Sequence, residues 1–138
     1  MHNAARRAVG VAPVTWSPRI ARYAQAWANR LANMQTLRHR PHTGPWKQQY
    51  GENLAMAGGS NAVATYGETG SRQWLSEKRR YNHRSRSLAG VGHYTQMVWR
   101  KTRRMGCGIS RYSKGPWHNV ILVCNYDPPG NMMGESPY

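Results

Sequence analysis

Apolar residues recur at two different periods along this chain, and each change of period marks a change of element. After Pro18, the residues Ile20, Ala24, Trp27, Leu31 and Met34 return at helical spacing, while Arg19, Arg22 and Arg30 occupy the rest of the wheel. That pattern predicts an amphipathic helix, opened by Ser17 as N-cap and by proline at its first position. A shorter helix is predicted over His2–Val9 and closed by Gly10, and Pro13 keeps Ala12–Trp16 extended. Beyond a loop from Leu37 to Gln49, the segment Tyr50-Gly-Glu-Asn-Leu-Ala-Met56 runs to a break at Gly58-Gly59-Ser60. A helical turn is predicted over Asn61–Tyr66 and a longer helix over Glu68–Tyr81, marked by Trp74, Leu75 and Tyr81. After a basic loop, Asn82–Gly92, a short helix is predicted over His93–Trp99, and Arg100–Arg104 is expected to carry the chain out to solvent.

The strand signal comes late. Cys107-Gly-Ile-Ser-Arg-Tyr112 and Asn119-Val-Ile-Leu-Val-Cys124 flank a Ser-Lys-Gly-Pro turn and read as a hairpin. If Tyr112 pairs with Asn119, register counting sets Cys107 opposite Cys124, which permits a cross-strand disulfide suited to an oxidising compartment. Two buried free thiols are the other reading. Helices interleaved with a single hairpin favour an antiparallel sheet covered by helices over a parallel, doubly wound one. The length of 138 residues suits one domain, 1–138, with one core.

Charge changes the picture. Twenty Lys and Arg stand against five Asp and Glu, for a formal net charge of +15. Such a surface attracts anionic partners of any kind, or serves solubility alone. No apolar run approaches the roughly eighteen residues of a membrane-spanning helix. Met1 is followed directly by His2-Asn-Ala-Ala-Arg6, which already reads as helix and leaves no leader in view. The chain is expected to act as a monomer.

With so few acidic groups, each one invites a specific question. Glu52 follows Tyr50-Gly51 at the end of a loop, where it can point inward. Glu77 stands three residues after Trp74 and so shares a helix face with that apolar anchor. For either glutamate taken singly, a surface salt bridge is the favoured explanation in so basic a chain. His93, His39 and His42 could join them, since neutral imidazoles with carboxylates suit zinc, and an incomplete shell would leave water on the metal. Their spacing matches no compact helical metal motif.

Several segments carry a family resemblance. Gly92-His-Tyr-Thr-Gln-Met-Val-Trp99, Gly106-Cys-Gly108 and Cys124-Asn-Tyr-Asp-Pro-Pro-Gly-Asn131 resemble signature segments of the CAP superfamily, the cysteine-rich secretory, antigen 5 and pathogenesis-related proteins. Tyr50-Gly-Glu-Asn-Leu-Ala55 and Trp74-Leu-Ser-Glu77 match two more in the same order, and His2-Asn3 with Arg6 resembles the family's opening. The resemblance covers essentially the whole chain. It implies a three-layer α-β-α sandwich with a small antiparallel central sheet, and a cleft lined by two histidines and two glutamates.

Residue by residue, it carries over Glu52, Glu77 and His93. The second histidine is His39, favoured by the Arg-Pro that follows it, or His42. In zinc-binding members the histidines are ligands and the glutamates support a water. The two cysteines here, fewer than eukaryotic members usually carry, suggest a bacterial-type member, with a plant pathogenesis-related-like one as the other reading within the resemblance. Tyr81 is kept in the stretch tied elsewhere to sterol binding, but His83 stands where a ring is often found. The ending, Gly134-Glu-Ser-Pro-Tyr138, is similar to those of plant and bacterial members, and the stretch Pro128–Tyr138 resembles one released as a signalling peptide in plant relatives. Packing of Met132, Met133 and Tyr138 against the first helix to close the core is the favoured alternative.

These readings imply a secreted protein, periplasmic if bacterial, acting as a non-enzymatic binding or defence module that takes zinc and a lipid or sterol. The competing reading is a metal-dependent hydrolase with Glu52 or Glu77 as general base, although Ser76 lies on a different helical face from Glu77. Binding of nucleic acid is the weakest reading, because the Trp and Tyr residues fall at core-like spacings and not among the basic runs.

Overall fold

The helical stripe of Ile20, Ala24, Trp27 and Leu31 organises one face of the fold. In the computed structural model, which describes residues 1–59 and 66–138, these side chains are buried on α2, Pro18–Met34. The Ser17 hydroxyl accepts the Ile20 backbone N–H at 3.2 Å, as an N-cap should. Gln35 ends the helix in the left-handed region. The preceding α1, His2–Ala8, and β1, Thr15–Trp16, fall where the sequence predicts a helix and an extended stretch.

The hairpin is longer than its sequence signal. β3, Arg104–Lys114, and β4, Trp117–Asp127, meet across a two-residue turn at Gly115-Pro116, where Gly115 supplies a positive φ. Tyr112 pairs with Asn119 and Cys107 with Cys124, and the cysteines are joined in a disulfide. β4 is apolar on both faces because both are covered: Ile121 and Val123 pack toward α2, while Val120, Leu122, Cys124 and Tyr126 pack toward the other helices.

Two pairings escaped the sequence pattern. Gly51–Gly59 forms β2, antiparallel to β4, and β1 runs parallel to β3, giving the strand order β1-β3-β4-β2. The sheet is therefore mixed at its β1 edge. Helix α2 covers one face; α1, α3 (Tyr66–Ser76) and α4 (Gly92–Met97) cover the other around Trp74, Tyr94 and Met97. This is the expected α-β-α arrangement.

Other expectations are corrected. The helix predicted to Tyr81 stops at Ser76 and tightens into a 3₁₀ turn over Glu77–Arg80. Of the turn predicted over Asn61–Tyr66, residues 61–65 lie outside the described residues, and Tyr66 opens α3. The Arg100–Arg104 segment does not simply leave for solvent. Thr102 is fully buried and donates to the Pro128 carbonyl at 2.9 Å. Nor do the tail methionines pack: Met132 and Met133 are exposed, and Tyr138 alone closes inward against Tyr81 and Tyr94.

Arg6, read from sequence only as part of the opening motif, is wholly buried without a carboxylate partner. Its guanidinium donates to the carbonyls of Ala12, Met97, Trp99 and Thr102, tying α1 to the exit of α4. Burial pulls its pKa down to about 10, so it stays charged at neutral pH.

Candidate functional site

Four segments far apart in sequence deliver one polar cleft. His39 comes from the loop after α2, Glu52 from the start of β2, Glu77 from the first position of the 3₁₀ turn, and His93 from the first turn of α4. They line a cavity of about 490 Å³ together with Asn53, Arg80, Gly90, Gly92 and Asn131. His42 does not line it, so His39 is the histidine of the cleft.

The four side chains form two matched pairs. His39 Nδ1 lies 2.9 Å from Glu52 Oε1, and His93 Nδ1 lies 2.7 Å from Glu77 Oε1. Each glutamate is further held by donors that fix its carboxylate. Glu52, whose side chain is completely buried, also accepts the Arg40 backbone N–H at 3.1 Å and Asn125 Nδ2 at 3.2 Å. Glu77 accepts the Tyr94 backbone N–H at 3.0 Å with its other oxygen. Both oxygens of both carboxylates are thus engaged.

With a carboxylate accepting from Nδ1–H, a neutral imidazole presents the lone pair of Nε2, and among the described residues neither Nε2 makes a hydrogen bond. The His93 ring is further fixed by stacking on Trp74, centroids 5.9 Å apart and planes within 11°. Trp74 is itself pinned by its indole N–H to the Leu54 carbonyl at 3.1 Å. Among the described residues, no group of three or more His, Cys, Asp or Glu is gathered to hold a metal ion by itself. What the cleft offers is two oriented imidazoles backed by carboxylates. The exposed Ser76 hydroxyl donates to the Gln73 carbonyl at 2.6 Å and is not paired with either carboxylate.

Sequence reasoning missed several supporting residues. Arg40 is buried over the rings of Tyr23, 3.7 Å to the centroid, and of Trp27 and Trp46. Its Nη2 donates to the Tyr23 carbonyl at 2.7 Å, and this anchor sets the backbone that carries His39. Burial pushes its pKa down, opposed by the nearby Tyr23 and Glu52. Asn53 Nδ2 donates to the His93 carbonyl at 3.0 Å and to the Tyr126 hydroxyl at 3.2 Å, linking β2 to α4. Arg40 and Asn53 each adjoin a site residue in sequence, which was the one available signal.

A second cavity, about 590 Å³, is set apart from the cleft. It lies between the start of α1, α3 and the sheet, and its lining includes Val14, Trp16, Met105, Ile109, Leu122 and the Cys107–Cys124 disulfide. Its wall is mainly apolar, unlike the cleft. No helix among the described residues is long and apolar enough to cross a membrane.

Residues 1–126 match the CAP family, described as the cysteine-rich secretory protein family. The chain is 44% identical over 139 residues to pathogenesis-related protein 1 of Arabidopsis thaliana, covering all of this chain and 78% of that protein. Among solved structures it is similar to BmVAL-1, with a TM-score of 0.75 and 34% identity over 91% of this chain. It spans 63% of BmVAL-1, under two thirds of its length. The crystal structure of NaASP2 with Zn2+ matches at a TM-score of 0.73 and 26% identity, over 99% of this chain and 80% of that one. The plant pathogenesis-related side of the expected resemblance is the one represented here.

Proposed function

Since this chain belongs to the CAP family of cysteine-rich secretory proteins, we propose that it is a secreted, non-enzymatic binding module of the pathogenesis-related type whose cleft takes a divalent metal such as zinc. The observation that carries the reading is the pair of imidazole–carboxylate contacts, His39–Glu52 and His93–Glu77, lining one cavity. Histidines that ligate a metal through one ring nitrogen are oriented by giving the other N–H to a carboxylate. Both histidines here are arranged in that way, so they fit the ion through Nε2. Glu52 and Glu77 would support them without being ligands. A bound zinc would supply a Lewis acid with positions open to water or to an oxygen of a ligand.

Binding is favoured over hydrolysis because each carboxylate is occupied in orienting a cleft histidine and the Ser76 hydroxyl donates to the Gln73 carbonyl, so among the described residues no hydroxyl nucleophile is paired with either glutamate. The apolar cavity beside the disulfide is the place for a lipid or sterol chain, since its wall offers burial for a hydrocarbon and the cleft does not. The disulfide favours an oxidising compartment and therefore secretion. A defence role is inherited from the pathogenesis-related relatives.

A crystal soaked with a zinc salt tests the cleft reading. An anomalous peak is expected at roughly 2.1 Å from Nε2 of both His39 and His93. A peak at another site, or none in the cleft, overturns it.

A further inference from the structure

The formal charge of +15 is not spread over a surface of compensating pairs, because the five acidic residues are all committed. Glu52 and Glu77 hold the cleft histidines, and Glu68, Asp127 and Glu135 pair with Arg72, Arg104 and Lys101. The stretch from Lys78 to Arg86 carries five exposed cations, Lys78, Arg79, Arg80, Arg84 and Arg86, and none of them pairs with a carboxylate side chain. Of these, Arg80 lines the cleft.

This strap is held in shape from beneath. Arg80 Nη2 donates to the Gly90 carbonyl at 2.8 Å. The Asn82 side chain accepts the Arg84 backbone N–H at 3.0 Å, and the Ser85 hydroxyl donates to the Asn82 carbonyl at 3.0 Å. Tyr81 packs on Tyr94 and Tyr138, and His83 stacks on Tyr138 with centroids 5.1 Å apart. A cationic display whose backbone is already ordered loses less entropy when a polyanion docks.

The same contacts decide which polyanion it suits. The strap's two aromatic rings already pack on Tyr138 of the tail, so bases stacking there would compete with contacts the chain makes itself. It carries none of the exposed large apolar side chains that would wedge into a bilayer. What it offers is a row of mainly guanidinium groups, suited to carboxylate and to tetrahedral oxyanions such as phosphate or sulfate. We infer that the Lys78–Arg86 strap is a docking site for an acidic polysaccharide, read through its anionic groups.

Binding of short de-esterified oligogalacturonides, and of heparin oligosaccharides as the sulfated counterpart, is measured in metal-free buffer with chelator. Those conditions make the outcome independent of zinc in the cleft. The triple variant Arg79→Gln, Arg84→Gln, Arg86→Gln leaves the cleft residues and the Arg80–Gly90 bond in place. It is expected to weaken binding about tenfold or more at low salt and to flatten the salt slope by about one per cation removed. The control triple Arg7→Gln, Arg19→Gln, Arg22→Gln makes the same change in charge on other exposed positions and is expected to stay within about twofold of the parent. Equal losses in the two triples, or no binding of either sugar polymer, overturn the site. A single-stranded oligonucleotide of equal charge that binds more tightly than both sugars, and is lost in the strap triple, overturns the polysaccharide assignment.

Discussion

His2 and Glu52 show how much of this protein rests on single buried polar groups. Burial, with help from the N-terminal and Arg6 charges, pushes the His2 pKa from 6.5 down to about 4. Its Nε2 lies 2.8 Å from the Tyr126 hydroxyl, itself fully buried and pushed upward in pKa by that burial. A histidine depressed in the folded state binds its proton more readily in the unfolded chain. Stability therefore falls as pH drops below 6.5 and levels off below about 4. The loss amounts to about 3 kcal/mol at most. Chemical denaturation across that window is expected to show the decline, and His2→Gln to flatten it; a slope unchanged in the variant would assign the effect elsewhere. For Glu52, three donors converge on a side chain with no solvent. Glu52→Gln turns one acceptor into a donor facing them and is expected to cost about 1–3 kcal/mol in equilibrium unfolding. A neutral outcome would contradict the tight packing of donors around this carboxylate.

Between elements, α2 comes close to β3 at two glycines. A Cβ on Gly106 would land on the backbone of Ala21, and one on Gly108 on the backbone of Gln25. Neither helix nor strand can yield cheaply, so Gly106→Ala and Gly108→Ala are each expected to lower stability by about 1–3 kcal/mol or more. Thermal melts identical to the parent's would show that the two layers are further apart than described. Elements were legible from sequence in proportion to their periodicity. α2 shows a clean apolar stripe and a cap, and the hairpin shows the Val-Ile-Leu-Val run of β4 following a Gly-Pro turn, so both were found, the hairpin in its correct register. β2 did not, because Gly51-Glu-Asn-Leu-Ala-Met-Ala-Gly-Gly59 has no β-branched residue and is buried at five successive positions, leaving no alternation to detect. β1 is two residues long and is defined only by its partner. The end of α3 slipped because Glu77, Lys78 and Arg80 have no apolar stripe to distinguish an α turn from a 3₁₀ turn.

Across the whole molecule, the tail and the cleft are products of long-range closure. Asn131 Nδ2 donates to the Gly92 carbonyl and its Oδ1 accepts from Thr95, while Gly130 N–H donates to Gln96 Oε1 and Arg100 N–H to the Pro137 carbonyl. These bonds clamp the α4 segment that carries His93. Truncation after Asp127 is expected to lower the melting temperature by about 4 °C for each kcal/mol lost; an unchanged melt would make the tail dispensable to the fold. The cleft itself was legible only through the ordered motifs. Its spacing carries no signal, since His39, Glu52, Glu77 and His93 meet through four separate elements, and the choice of His39 over His42 rests physically on the buried Arg40 beside it. Calorimetric titration with zinc at neutral pH tests that convergence most directly. Uptake of one ion per chain is expected, abolished in His39→Ala and in His93→Ala and retained in His42→Ala. Uptake that survives both cleft substitutions, or that is lost with His42, would contradict a metal site in this cleft.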